Sequence, residues 1–230
     1  MTPLIVIQAR LGSTRLPRKV LLPLGGKPAL QHTVERAQAT GCKVVVACPT
    51  EDAPALATLP CWPSRPGEHR KGISSHAGDT ADVLRRYAVT AEHFLPTPPT
   101  HVLRLTGDCP LIDPDVIGLV VDALRGGAVY ASNTVQRTYP RGLDVEGFTV
   151  DALRQAHAEA RDPYDREHVT PWMQRHLPVT HVKHTTDLSK HRWCLDDSAD
   201  YAWLEGVFTR HPNPTTSQVL AYRPHRYDRR

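Results

Sequence analysis

The chain reads as an α/β protein: a single domain with a mainly parallel central sheet flanked by helices. Three observations predict this. Apolar runs of strand length alternate with segments of helical period along most of the 230 residues. The first run, Leu4-Ile5-Val6-Ile7, has the unbroken apolar character of a buried core strand. No internal repeat and no linker divides the chain.

Taken in order, strands are expected at 3–8, 43–48, 101–105, 128–132, 143–148, 179–185 and 192–195. After the first, Pro28 has the place of a first helical residue. Leu30, Val34 and Ala37 share a face there, and Gly41 stands just past the end. Residues 54–72 have no period, because Pro54, Pro60, Pro63, Pro66 and Gly67 break it; a long irregular crossing, an insertion or a lid, is expected. Residues 80–94 put Val83, Leu84, Tyr87, Ala88, Ala91 and Phe94 on one helical face. Pro96-Thr97-Pro98-Pro99 reads as a surface turn. Asp113 caps and Pro114 opens a further helix with a stripe of Val116, Val120 and Leu124. Arg166-Glu167-His168 opens another helix, which Pro171 interrupts or restarts. Asp197 or Ser198 caps the last one, burying Tyr201, Leu204 and Phe208. The domain is drawn as 1–211. Residues 212–230 form a basic tail, with Arg223, Arg226, Arg229 and Arg230 following Arg210, and the tail is either disordered or packed on a partner subunit.

Composition narrows the function. A hydrophobic content of 40% suits a sizeable core, and no run of 18 apolar residues provides a membrane span. The Met-Thr-Pro opening lacks the basic region of a secretory signal. The five cysteines are odd in number and contain no Cys-x-x-Cys, which argues against a disulfide framework or structural zinc and for a cytoplasmic protein. His181 and His184, three apart in an expected strand, face opposite sides and cannot chelate together. A net charge of +4 suits an anionic small substrate as well as nucleic acid.

Chemistry concentrates where strands end, since ligands of open α/β sheets sit beyond the strands' carboxyl ends. The first strand runs into Gln8-Ala9-Arg10-Leu11-Gly12-Ser13-Thr14-Arg15-Leu16-Pro17-Arg18-Lys19. Glycine, hydroxyls and four cationic side chains are what a triphosphate needs. The spacing matches neither the Walker loop nor the dinucleotide fingerprint. The plainer alternative is a basic surface loop. Thr106-Gly107-Asp108-Cys109-Pro110 delivers a carboxylate at a strand end, able to hold Mg²⁺ against phosphate oxygens; alternatively it is only a turn. In Leu195-Asp196-Asp197-Ser198-Ala199-Asp200, Asp196 is either a second metal ligand or one of three acids that serve a helix start. Cys109 reads as a packing residue, because no local histidine would activate it. Asp144 and Glu146, two apart in a strand, share a face and could meet a sugar, or could form a polar outer face.

These segments together resemble the cytidylyltransferases that activate acidic sugars, the CMP-ketodeoxyoctonate and CMP-sialate synthetase group. Ala9, Arg10, Ser13, Arg15, Leu16, Pro17 and Lys19 match the Ala-Arg-x-x-Ser-x-Arg-Leu-Pro-Gly-Lys signature, with Arg18 where that group has glycine. Gly107-Asp108-Cys109-Pro110-Leu111 resembles its metal motif, and Leu195 to Asp200 its Val-Asp-Thr-Pro-Glu-Asp segment, with Ser198 replacing proline. A narrower resemblance is to the spore coat polysaccharide biosynthesis protein F family. It rests on Gly78 to Tyr87, Ser132-Asn133-Thr134, Arg137 to Glu146 and Arg166 to Pro171. The resemblance implies a nucleotide-diphospho-sugar transferase, glycosyltransferase A-like fold. It also implies a cytoplasmic enzyme of polysaccharide biosynthesis that transfers a cytidylyl group from CTP to a sugar with Mg²⁺.

The implied catalytic residues are Arg10, Arg15, Lys19 and Asp108. Arg10, Arg15 and Lys19 would hold the β- and γ-phosphates, and Asp108 and Asp196 the metal. The implied nucleotide site adds Ala9, Gly12, Ser13, Asp82, Arg85 and Thr106, although Asp82 and Arg85, at i, i+3 spacing, also suit a surface ion pair. The implied sugar site is Asn133, Arg141, Asp144, Glu146 and Arg166. His168 is read as structural rather than as a base. The expected partners are CTP and a sugar, with a homodimer as one assembly; neither nucleic acid nor a membrane is expected. Glycosyl transfer from a nucleotide-sugar is the alternative reaction. A non-catalytic binding module is a third reading, favoured only by the basic tail and opposed by an aromatic content of 6%. The residues do not name the sugar.

Overall fold

Leu4, Ile5, Val6 and Ile7 are all fully buried, because their strand is covered on both faces. The structure, a computed structural model, describes residues 1–59, 73–93 and 97–222. Along the chain these form β1 (Pro3–Gln8), a 3-10 turn (Lys19–Leu21), β2 (Pro23–Leu24), β3 (Lys27–Pro28) and α1 (Ala29–Gln38). Next come β4 (Lys43–Pro49), a 3-10 turn (Thr50–Asp52), α2 (Ala53–Leu56), β5 (Ile73–Gly78), α3 (Val83–His93) and β6 (His101–Thr106). They are followed by α4 (Pro114–Arg125), β7 (Tyr130–Ser132), β8 (Glu146–Thr149), α5 (Val150–Glu159), α6 (Pro163–His168) and α7 (Pro171–His176). The last elements are β9 (Val179–His181), α8 (Ser198–Arg210) and α9 (Thr216–Ala221).

Seven strands make one sheet in the order β5-β4-β1-β6-β8-β7-β9, parallel throughout except that β8 runs antiparallel to both neighbours. Period-two alternation divides the core between its faces. Ile5, Ile7, Val44, Val46, Leu103 and Leu105 pack under α1, α4 and α8. Leu4, Val6, Val45, Ala47 and Val102 pack under α3, α5 and α7. The expected α/β class and mainly parallel sheet are observed.

Several boundaries differ from the sequence expectation. The expected strand at 192–195 is no strand; a single backbone bridge, Arg141 to Arg192, stands there. The strands expected at 128–132, 143–148 and 179–185 shorten to β7, β8 and β9. Pro28, extended at φ −54° and ψ 141°, caps α1 instead of opening it. Before α3, the Asp79 carboxylate accepts the N–H groups of Ala81 and Asp82, so the helix starts at Val83. Arg166, Glu167 and His168 close α6 rather than open a helix, and Pro171 does start the next. Several elements were not expected, among them α5 and, at the start of the aperiodic crossing, α2. β5 begins where the aperiodic crossing was drawn to end. The β2–β3 hairpin turns on Gly25 and Gly26, both at positive φ, and a Gly-Gly pair between short extended runs is a readable hairpin signal. Residues 212–222, assigned above to the basic tail, carry α9 and set Val219 in the core. The expectations resting on Pro60, Cys61, Pro63, Pro66, Gly67, Phe94, Pro96, Arg223, Arg226, Arg229 and Arg230 lie outside the described residues.

Candidate active site

The carboxyl ends of β1 and β6 stand side by side, with Gln8 opposite Thr106, so the two loops that follow share one edge of the sheet. Gly107 permits this. A Cβ there would lie 2.9 Å from Leu30 Cδ1 and 3.2 Å from Ala9 Cβ. The third loop reaches the same place by a backbone clasp: the N–H of Leu195 donates to the carbonyl of Asp108 at 2.8 Å. Its far side is held by Gly142 at φ +103°, where a Cβ would come within 2.6 Å of the backbone carbon of Trp193. The N–H of Trp193 in turn donates to the carbonyl of Arg141 at 2.6 Å.

Asp108 and Asp196, 88 residues apart (196 − 108), thereby converge on one point, and that point is the ammonium of Lys19. Nζ lies 2.5 Å from Asp108 Oδ2 and 2.7 Å from Asp196 Oδ1. Arg15 approaches Asp196 Oδ2 at 3.4 Å from the solvent side. Arg192 donates to Asp196 at 2.6 Å and clasps Asp200 through two nitrogens, at 3.1 and 2.9 Å. Burial opposes the charged forms of Lys19 and Asp196, but the ion pairs prevail. The Lys19 pKa is raised, and that of Asp196, beside Lys19 and Arg192, falls to about 2. Asp197 caps α8 and forms a reciprocal capping box with Asp200, which leaves Asp196 clear to face the other loops.

The residues expected to meet the nucleotide differ in exposure and partners. Ala9 is buried, its N–H bonded to the Ala47 carbonyl. Gly12 has open space around it, and Ser13 Oγ accepts the Leu16 N–H at 3.4 Å. Arg10 is exposed and meets Glu167 at 3.2 Å. Thr106 Oγ1 sits 3.1 Å from Cys109 Sγ, and burial raises that thiol's pKa well above the ordinary range, in keeping with a packing role. Asp82 does not pair with the Arg85 side chain. It accepts the Arg85 N–H and forms a two-pronged contact with Arg166, at 2.9 and 2.6 Å. Arg166 also donates to the carbonyls of His157 and Ala160, so it ties α3 to the α5–α6 turn.

Two residues of the expected sugar site are corrected. Glu146 does not share an open face with Asp144. Its carboxylate is buried and fully engaged by Arg104, Tyr130, Thr134, Thr170 and Gln174. Asn133 is buried as well, donating to the Leu143 carbonyl and accepting the Val145 N–H, and so it pins the 133–145 loop. Asp144 precedes β8, half-exposed, in a two-pronged pair with Arg137 at 2.5 and 3.0 Å. Arg141 is exposed beside the Trp193 clasp. Among the described residues no three His, Cys, Asp or Glu side chains are grouped to hold a metal; Asp108 and Asp196 meet as a pair at Lys19 Nζ.

Known proteins resemble this chain in sequence and in fold. A family model described as cytidylyltransferase matches residues 4–218. The chain belongs to the cytidylyltransferase family. It is 38% identical over 156 residues to 3-deoxy-manno-octulosonate cytidylyltransferase of Anaeromyxobacter dehalogenans, covering 68% of this chain and 60% of that protein. It therefore spans less than two thirds of that relative's length. It is 25% identical over 233 residues to spore coat polysaccharide biosynthesis protein SpsF of Bacillus subtilis, covering 94% and 92% of the two chains. Its fold matches a cytidylyltransferase structure from Leptospira borgpetersenii with a TM-score of 0.83 at 30% identity, covering 96% of this chain and 93% of that one. A CMP:2-keto-3-deoxy-manno-octonic acid synthetase solved with CTP shares the fold at a TM-score of 0.64 and 17% identity, over 91% and 99% of the chains.

Family membership explains one backbone feature. Where the signature has glycine this chain has Arg18, and Arg18 adopts the left-handed conformation, φ 57° and ψ 26°. An arginine there carries a steric cost that glycine does not. Arg18→Gly is therefore expected to raise stability by up to about 1 kcal/mol, the strain relief being partly offset by a more flexible unfolded chain. Thermal unfolding checks this; a destabilised variant would show that the arginine side chain contributes more than its backbone costs. Sequence reasoning missed the roles of Arg192, which fixes Asp196, and of Glu167, which meets Arg10. Only the local density of opposite charges hinted at the first. Nothing in the sequence hinted at the second, whose partners lie 157 positions apart.

Proposed function

We propose that this protein transfers a cytidylyl group from CTP to a sugar, making a CMP-sugar for surface polysaccharide and releasing pyrophosphate. The observation that carries the reading is the meeting of Asp108 and Asp196 at one cation position, beside Arg15 and at the carboxyl ends of β1 and β6. Those oxygens suit Mg²⁺, which commonly takes one or two carboxylates and completes its shell with water and phosphate oxygens. Bound there, the ion would neutralise phosphate charge and polarise the α-phosphorus.

The protein's own part is placement and charge. Arg10 and Arg15 stand exposed, where a triphosphate can reach them. A sugar hydroxyl oxygen bonds to the α-phosphorus and releases its proton to solvent, and the bond to pyrophosphate breaks, pyrophosphate leaving with the bonding electron pair. No protein nucleophile is needed, since positioning and electrostatics supply the rate. The 3-deoxy-manno-octulosonate relatives support an acidic sugar, and with Asn133 and Glu146 withdrawn and Arg166 held by Asp82, Arg141 and Asp144 remain as candidates to meet it, joined by Arg137, the partner of Asp144. Glycosyl transfer is less well supported. The one Asp-x-Asp, Asp113-Pro114-Asp115, is a helix cap in which Asp113 accepts the Asp115 N–H.

The test is pyrophosphate release from each of CTP, UTP, ATP and GTP with Mg²⁺ and a panel of keto-acid and neutral sugars. The expected result is release with CTP, dependent on sugar. Equal release from all four nucleotides, or none from CTP with any sugar, would reject the reading.

A further inference from the structure

The acid pair is already occupied by a cation of the protein's own. Lys19 is 9% exposed, and its Nζ fills the point where Asp108 and Asp196 converge, at 2.5 and 2.7 Å. The surrounding ion-pair network is balanced. The three carboxylates of Asp108, Asp196 and Asp200 face the three cations Lys19, Arg15 and Arg192. A divalent cation arriving alone would bring two positive charges to a balanced cluster and would have to displace an ammonium that both carboxylates hold, with no new anion to receive it. A triphosphate arriving alone would draw Lys19 and Arg15 away and leave two carboxylates bare beside its own negative charge. Together they exchange partners: phosphate oxygens take the ammonium, and the carboxylates take the metal. The flexible four-carbon stem of lysine makes this a short movement, where arginine's rigid fork would not.

We propose that Lys19 is a positioning residue that holds the Asp108–Asp196 pair together in the free protein, and that divalent metal and triphosphate therefore bind as a unit. The proposal rests on the reading that these two aspartates are the metal ligands of a nucleotidyl transfer. It adds a coupling between the two ligands to that reading and names the side chain that enforces it. Because coupling between two ligands is reciprocal, each must strengthen the other's binding by the same factor.

The experiment is Mn²⁺ binding to the nucleotide-free protein, followed by the loss of the free Mn²⁺ paramagnetic signal, with no turnover involved. Wild type is compared with Lys19→Gln, which keeps polarity and is one atom shorter but removes the charge, and with Lys19→Gln/Asp108→Asn. Lys19→Gln is expected to bind Mn²⁺ about tenfold or more tightly than wild type, since a positive charge within contact of both ligands has gone. The double variant should lose that gain. Mn²⁺ affinity equal to or weaker than wild type in a folded Lys19→Gln would overturn the proposal. If Lys19→Gln does not fold, the wild-type titration decides: micromolar Mn²⁺ binding without nucleotide overturns it, and binding that is detectable only at millimolar metal supports it. Tight Mn²⁺ binding by a wild type that turns over CTP defeats this proposal alone, whereas absence of CTP turnover defeats the functional reading beneath it.

Discussion

Asp108→Asn is expected to lower sugar-dependent pyrophosphate release by a factor on the order of 10²–10³ or more while the protein stays folded. The substitution keeps shape and removes one of two carboxylates at the site's cation position. Lys19 retains Asp196, and Asp108 is a quarter exposed, so the structural loss should stay near 1–2 kcal/mol. Steady-state rates at saturating CTP, set against a thermal melt, separate the two effects. A variant within tenfold of wild type would remove Asp108 from the chemistry.

Glu146→Gln carries the second large effect, and it falls on stability. The carboxylate is 4% exposed and the Arg104 guanidinium it neutralises 15% exposed, with 2.8 Å between them. Removing one partner of a buried pair leaves the other charge uncompensated and costs about 3–5 kcal/mol. For a chain of this size that lowers the melting temperature by roughly 10 °C. The molecules that remain folded should keep the wild-type KM for the sugar, because the Glu146 carboxylate is buried and engaged by the protein's own side chains. An unchanged melting temperature with a raised sugar KM would return Glu146 to the acceptor pocket.

The reversal over Glu146 shows where sequence reading stops. Period-two logic put Asp144 and Glu146 on one face, which requires both to lie in one regular strand. β8 begins at Glu146, so Asp144 obeys a different geometry. Nor does a polar residue in a strand announce whether its face is covered. β8 lies between β6 and β7 although β7 precedes it in sequence, and that reordering encloses Glu146 within the sheet. Asn133 was misjudged for the same reason, since its partners Leu143 and Val145 come from the far end of a loop.

The residues that were legible are those whose local chemistry has few solutions. An unbroken apolar run gave β1. A Gly-Asp pair after a strand gave Asp108, and glycine fits closely before it, since a Cβ at Gly107 would lie 3.3 Å from the Gln8 carbonyl oxygen. Asp113-Pro114 gave a helix start that forms as expected. β5 escaped notice because Ile73-Ser74-Ser75-His76-Ala77-Gly78 has little apolar content, which an edge strand tolerates. Lys19 was placed on phosphate from motif position alone; that its ammonium joins two aspartates 89 and 177 positions away depends on tertiary structure.

The central claim is that the α-phosphate of CTP is bonded to the sugar. It is tested most directly by incubating the protein with CTP labelled at the α-phosphate, Mg²⁺ and a keto-acid sugar, then separating the products. The account predicts that label appears in a CMP-sugar in a one-to-one ratio with pyrophosphate, and that wild type loses this product when Asp108 is replaced by Asn. Label that never joins any sugar, from a protein that instead moves a sugar from a nucleotide-sugar donor to an acceptor, would contradict it.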